Sequence, residues 1–267
     1  MSAKVNHPDP SGHPGPSGQP DLSGQRVFIT GAARGLGRSM AEKLARCGAT
    51  VAVTDISGGC DEVAEGIRTA GGAAYAYAVD VALRDQVMNA AEQFAQACGR
   101  IDAVINNAML LRYEPVENIT PETLARMTAI GINGSVWGAH ALLAHYDAAR
   151  GGAIINMASP VAEKGFPNTA AYSLVKGAIV TLTKVLAAEL GPRNVRVNAI
   201  APGSMPTPGA LGLNDKAEYE RRSRTIPLRR LGSERDNADA CAFLLSSAAS
   251  FINGEILHVD GGIAAAG

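Results

Sequence analysis

Three things are scarce in this 267-residue chain: aromatic side chains at 4 %, closely spaced cysteines, and long apolar runs. With so few rings, any core has to be assembled from Ala, Val, Ile and Leu, and the hydrophobic content of 46 % is ample for that. Cys47, Cys60, Cys98 and Cys241 stand far apart, with no Cys-x-x-Cys among them. That spacing argues against a disulfide frame or a zinc site and reads as the reduced thiols of a cytoplasmic protein. No stretch approaches the ~18 apolar residues a membrane-spanning helix needs, so no membrane partner is expected. A surplus of charge is missing too. The formal net charge of −1 leaves no electrostatic footprint for nucleic acid. His140 and His145 do not share a helix face, so no metal site is expected either.

What is present falls into two parts. The first twenty residues hold eleven Pro, Gly and Ser and repeat Pro-Ser-Gly. Such a composition buries too little apolar surface to offset ordering entropy, so 1–21 is expected to be a disordered tail. It has no apolar h-region and does not read as a signal peptide. From residue 22 to 267 no composition break divides the chain, and one domain is expected. Short apolar runs at 26–30, 50–55, 73–80, 101–107, 152–159, 194–203 and 255–262 alternate with amphipathic segments such as 83–98, 121–149 and 170–190. This pattern predicts an α/β, doubly wound Rossmann-type domain, with about seven parallel strands and helices on both faces. In such sheets a ligand sits at the carboxyl ends of the strands, where the winding reverses.

The segments at those ends are the ones rich in glycine and polar residues. Directly after the first run comes TGAARGLGR (30–38), with Gly31, Gly35 and Gly37. A glycine turn opening a helix lets backbone approach a pyrophosphate, and the helix N-terminus adds N–H donors and dipole. The spacing is G-x-x-x-G-x-G and lacks the Lys-Ser/Thr of a P-loop. An ordinary tight turn is the alternative; its place in the first βα unit favours a nucleotide. Asp55 ends the second run, where a carboxylate accepts from both ribose hydroxyls and repels a 2′-phosphate, which favours NAD over NADP. Arg34 pulls the other way, since a guanidinium binds that phosphate. Tyr172 and Lys176, in AAYSLVKGA (170–178), lie one turn apart on one helix face. Taken alone, that is as well explained by an amphipathic pair whose lysine reaches solvent.

Taken in order, the motifs raise the pair's standing. T-G-x-x-x-G-x-G ends strand 1, NNA (106–108) strand 4, Ser159 strand 5, then Tyr172-x-x-x-Lys176, with PGSMPT (202–207) after strand 6. Over residues 22–262 the chain resembles the short-chain dehydrogenase/reductase family in its single-domain branch. The resemblance implies a catalytic set of Asn133, Ser159, Tyr172 and Lys176. Tyr172 would be the general acid/base, its pKa lowered by Lys176 from the ordinary ~10 of a phenol. Ser159 would hydrogen-bond the substrate oxygen; MASPV lacks the G-x-S-x-G elbow of a hydrolase nucleophile. Asn133, in GINGS, would help hold a relay water where the family kinks a helix.

The resemblance also implies a nicotinamide cofactor along Gly31, Arg34, Gly35, Leu36, Gly37 and Asp55. It continues through Asp80 (toward adenine), Val81, Asn107 and Ala108, then Tyr172, Lys176, Pro202, Gly203, Met205 and Thr207. Thr30 is read as tying strand ends. One position departs from the family: N-N-A-G reads NNAML here, with Met109 for glycine. Either the loop turns aside there or Met109 becomes part of the substrate wall.

Segments after strands 4, 5 and 6 should choose the substrate. Met109, Leu110 and Leu111, with Pro160, Val161 and Phe166, are apolar and point to a moderately hydrophobic secondary alcohol or ketone. NDKAEYERRSR (214–224) reads as the solvated face of a lid helix, or else offers Arg221, Arg222 or Arg224 to an anionic substrate. Rival readings are an NADP-dependent 3-oxoacyl or sugar/aldehyde-type reductase and a non-catalytic nucleotide sensor. A sensor would not need the four catalytic-type residues. Ala- and Leu-rich faces at 121–149 and 170–190, which family members pair across subunits, imply a homotetramer.

Overall fold

β-branched and small apolar side chains suit a pleated surface covered on both sides, and the Val/Ile/Ala runs form strands for that reason. In the computed structural model, which describes residues 19–207 and 216–266, the strands are β1 (Arg26–Thr30), β2 (Thr50–Asp55), β3 (Ala73–Ala78), β4 (Ala103–Asn106), β5 (Gly152–Met157), β6 (Val195–Pro202) and β7 (Ile256–Val259). They form one parallel sheet in the order β3-β2-β1-β4-β5-β6-β7. The winding therefore reverses between β1 and β4. The helices are α1 (Gly35–Arg46), α2 (Cys60–Thr69), α3 (Arg84–Cys98), α4 (Pro121–Thr128), α5 (Gly134–His145), α6 (Ala170–Leu190), α7 (Lys216–Thr225) and α8 (Glu234–Leu245).

Strand alternation splits the core into two layers. Val27 and Ile29 of β1 face a layer with Met40 of α1, Val63 of α2 and Cys241 of α8. Phe28 between them faces the opposite layer, with Phe94 of α3, Leu142 of α5 and Leu190 of α6. A buried polar chain joins the middle of the sheet to its helices. Asn106 donates to Asn156 Oδ1 at 2.9 Å, and Asn156 donates to Thr183 Oγ1 of α6 at 2.9 Å. Buried polar links of this kind help fix the register of the elements they join, although Asn106 Oδ1 itself has no partner among the described residues.

Several expected boundaries move. The third strand stops at Ala78 rather than residue 80, the fourth covers only 103–106, and the fifth ends at Met157 rather than Ser159. The sixth covers 195–202 and the seventh only 256–259. At the carboxyl ends of β3 and β5 the ladder stops before the polar residues, which are loop; β4, β6 and β7 are also trimmed at their amino ends. The expected helix over 121–149 is also interrupted. Thr120 caps α4 by accepting from the Thr123 N–H, a π-helical turn spans Ala129–Asn133, and α5 ends at His145. Most of the expected tail, residues 1–18, lies outside the described residues. Gln19, expected to belong to it, accepts from Lys43 Nζ of α1 at 3.2 Å.

Candidate active site

The first βα turn is built by exclusion of side chains. Gly31 and Gly35 have φ of 65° and 58°, a region that favours glycine. At Gly37 the constraint is proximity, because a Cβ there would lie 2.1 Å from Gly31 O. The α1 N-terminus has no side-chain cap and no acidic residue in its first turn, so its N–H groups and dipole stay available to an anion. Asn107 donates to the carbonyls of Thr30 at 3.0 Å and Gly31 at 2.8 Å. Thr30 Oγ1 accepts from the N–H groups of Asn107 and Ala108, tying the ends of β1 and β4. The Asn107 side chain thus braces the loop. A dinucleotide fits this cradle: it is a glycine turn at an uncapped helix N-terminus, so tightly closed that a Cβ at Gly37 would collide with the loop backbone itself.

The flanks are fixed as well. Asp55, at the end of β2, accepts from the Ala33 N–H at 3.2 Å and the Ser57 N–H at 3.0 Å. A carboxylate has about four acceptor sites, so capacity for ribose hydroxyls remains. The Arg34 side chain is exposed and makes no ion pair among the described residues. Asp80, expected at adenine, gives one oxygen to Arg126 of α4 at 2.9 Å and the other to the Ala82 N–H. The Val81 side chain is packed into the core, which leaves its backbone to meet a ligand.

Beyond β4, β5 and β6 lies a cleft of about 670 Å³. Tyr172 and Lys176 enter it from the first two turns of α6, and Ser159 from the loop after β5. Leu36 and Asn107 line its cradle side, while Pro202, Gly203, Met205 and Thr207 come from the end of β6. Lys176 is buried and donates to Met157 O at 2.5 Å, with its Nζ 5.5 Å from the Tyr172 ring centroid. Burial pushes the Lys176 pKa down to about 8. The expected depression of Tyr172 is corrected by the structure. Burial, with the neighbouring Tyr113, holds its phenol well above the ordinary range, and the Ser159 hydroxyl only partly opposes them. Desolvation of the phenolate is the largest cause, and it acts against the ionised form.

Asn133 requires a second correction. It ends the π-helical turn, is exposed, and does not line the cleft. The residue of that turn beside the cleft is Gly131, where a Cβ would lie 2.3 Å from Val175 Cγ1 and 3.0 Å from Met109 Sδ. The extra residue of the π turn rotates Asn133 away, and spacing alone does not reveal such a shift. Met109, in the family's glycine position, packs with Val175 and Tyr172 and lines the cleft. It is wall; the loop does not turn it aside.

Leu111, Pro160, Val161 and Phe166 line the same cleft, whereas Leu110 does not. Two contributors escaped the sequence reading. Tyr113 sets its ring edge-on to Tyr172, with centroids 5.6 Å apart, and Lys164 reaches in from the loop after β5. Neither sits in a periodic segment, so no pattern marked them. Of the charged segment 214–224, Glu218, Tyr219, Arg221 and Arg222 line the cleft and Arg224 does not. Residues 208–215, which include the start of that segment, lie outside the described residues.

The comparisons agree with this geometry. A family model described as enoyl-(acyl carrier protein) reductase matches residues 31–264. The chain belongs to the short-chain dehydrogenase/reductase family. It is 36 % identical to the cis-4-hydroxycyclohexanecarboxylate dehydrogenase of Sinomonas cyclohexanicum, over 90 % of this chain and 96 % of that protein. A gluconate 5-dehydrogenase from Burkholderia cenocepacia, solved with NADP and tartrate, superposes with a TM-score of 0.88 at 33 % identity, over 92 % of this chain and 98 % of that one. The 3-ketoacyl-(acyl-carrier-protein) reductase of Brucella melitensis, solved with NADH, gives 0.85 at 35 % identity, over 91 % and 100 %. As a short-chain dehydrogenase/reductase, the chain is an oxidoreductase of alcohols or their carbonyl counterparts that uses a nicotinamide cofactor.

Proposed function

We propose that this short-chain dehydrogenase/reductase interconverts a moderately hydrophobic secondary alcohol and its ketone with NAD(H), using Tyr172 as general acid/base. The observation that carries the reading is the meeting of Tyr172, Lys176 and Ser159 in one cleft whose cradle side begins at Leu36 and whose far wall includes the apolar Met109, Leu111, Pro160 and Phe166. The cofactor, when bound, supplies or accepts a hydride. Gly31, Gly35, Gly37 and Asp55 would hold its adenosine and pyrophosphate end, and Lys176, Met205 and Thr207 its nicotinamide end. Ser159 positions the substrate oxygen and stabilises charge that develops on it. Tyr172 gives that oxygen a proton in reduction and removes it in oxidation, while Lys176 supplies the nearby positive charge. Met109, Leu111, Pro160 and Phe166 exclude water around an apolar substrate body. With Asn133 on the outside of the helix, the reading rests on three catalytic residues.

Preference for NAD follows from Asp55, fixed beside the loop by two backbone N–H groups. An NADP-using reductase is the second reading, favoured by Arg34, which is exposed and makes no ion pair among the described residues. All four cysteines are free, which supports a cytoplasmic setting. Leu174 and Val185 of α6, 65 % and 52 % exposed, support burial in a homotetramer. A turnover screen of alicyclic, aromatic, sugar and 3-oxoacyl substrates tests the function, with both cofactors and in both directions. About tenfold better kcat/KM with NAD on apolar secondary alcohols is expected, a difference of ~1.4 kcal/mol. A reversal of cofactor order would refute the Asp55 argument, and turnover confined to sugars would refute the apolar wall. A monomeric mass in solution would contradict the tetramer.

A further inference from the structure

Helix α7 brings two arginines to the rim of the cleft, and their guanidinium groups are not equivalent. Arg221 donates to Glu218 through Nε and Nη2, each at 2.7 Å, so one edge of its fork is occupied. Arg222 donates to the same carboxylate through Nε alone, at 2.7 Å. Among the described residues, its two terminal nitrogens have no hydrogen-bond partner. The Arg222 side chain is 32 % exposed against 66 % for Arg221, so it is the less solvated of the two. Its charge is felt by Tyr113, whose ring packs against Tyr172. Lys164, held by Ile263 O at 3.0 Å, adds a further positive charge to the lining. Among the described lining residues on this rim, Glu218 is the one carboxylate against Arg221, Arg222 and Lys164. Among the described residues the rim is therefore positive, with a fork of two N–H groups open on it.

We propose that Arg222 anchors a carboxylate carried by the substrate at the end remote from its reacting carbon. The natural substrate is then a hydroxy acid, or the matching oxo acid, with an apolar body. The inference rests on the reading that the Tyr172 end of the cleft takes a secondary alcohol. Met109, Leu111 and Tyr113 are the apolar lining that such a body would meet. A guanidinium with both terminal nitrogens open binds a planar carboxylate through two parallel hydrogen bonds, which a lysine cannot reproduce. Glu218, by fixing Nε, holds that fork in place.

The test compares cyclic hydroxy acids with their methyl esters, which keep the shape and lose the charge. In the unaltered protein the acid should have about a tenfold higher kcat/KM than its ester, mostly through KM. That ratio should fall to near one in Arg222→Gln and recover partly in Arg222→Lys. Arg224→Gln, on the same helix but away from the cleft, should keep the ratio. Calorimetric binding of cyclohexanecarboxylate, which has no hydroxyl to react, gives a readout independent of turnover and should weaken about tenfold in Arg222→Gln. Esters turned over as well as acids, or an acid preference that survives Arg222→Gln, would overturn the anchor while leaving the alcohol reading intact. Arg222-dependent binding of cyclohexanecarboxylate with turnover of neither acid nor ester would support the anchor and refute the alcohol reading.

Discussion

The crevice has two sides that are made differently. Its cradle, between β1 and β4, is backbone: Gly31 and Gly37 leave no room for a Cβ, Gly35 takes a positive φ, and Asn107 braces the loop with its amide. The far wall, beyond β4 to β6, is side chain: Met109, Leu111, Tyr113, Phe166 and Arg222. A backbone surface can recognise only what every backbone offers, N–H groups and a dipole, and so suits an invariant ligand such as a dinucleotide. A side-chain surface changes with each substitution and suits a ligand that differs between enzymes. The triad of Ser159, Tyr172 and Lys176 lies where the two meet, which is where a hydride would pass.

The contrast is broken most severely by giving the cradle a side chain. Gly37→Val would place a Cβ 2.1 Å from Gly31 O and 2.8 Å from Ala32 Cα, both backbone atoms that cannot swing aside. We expect cofactor binding to be lost and stability to fall by about 1–3 kcal/mol, read by nucleotide titration and thermal unfolding. Unchanged cofactor affinity would show that the cradle is not the dinucleotide site.

A smaller effect comes from pH and reports on the meeting point. Burial keeps Tyr172 protonated across the neutral range, as a proton donor for ketone reduction must be. The charge on Lys176 is present below its pKa of about 8 and lost above it. The kcat/KM for reduction should therefore hold steady from pH 6 to 7 and decline through about pH 8, up to tenfold per unit. In oxidation, where Tyr172 must first be deprotonated, the rate should rise with pH. A reduction rate that climbs with pH would contradict both assignments.

The smallest effect is expected at Asn133. Because it is exposed on the π-helical turn, Asn133→Ala should change kcat by less than about twofold and stability by under ~0.5 kcal/mol. A loss of a hundredfold, measured in the steady state, would return Asn133 to the site and contradict its placement.

The same division decides how much the sequence could reveal. The seven strands, the glycine turn, Asp55 and the Tyr172–Lys176 pair were legible because each follows from a period or a fixed spacing. A helix face is set by four residues, and a glycine where a Cβ would clash leaves a mark in any sequence. Asn133 was misplaced because the resemblance implied a kink there but not which residue of the π-helical turn would face the cleft, and nothing in GINGS decides that. Tyr113 and Lys164 were missed because irregular loops carry no period. The sign of the Tyr172 shift was missed because burial depends on the whole fold, whereas the Lys176 charge is visible from four residues away.

The central claim is that Tyr172 moves the proton while the cradle holds the cofactor, and Tyr172→Phe separates the two most directly. The variant keeps the half-buried ring and removes the hydroxyl. Turnover and NADH affinity would be measured on the same preparation, with any substrate the unaltered protein accepts. The account predicts a fall in kcat of about 10²–10⁴-fold with NADH binding within twofold of the unaltered protein. Undiminished turnover would contradict it.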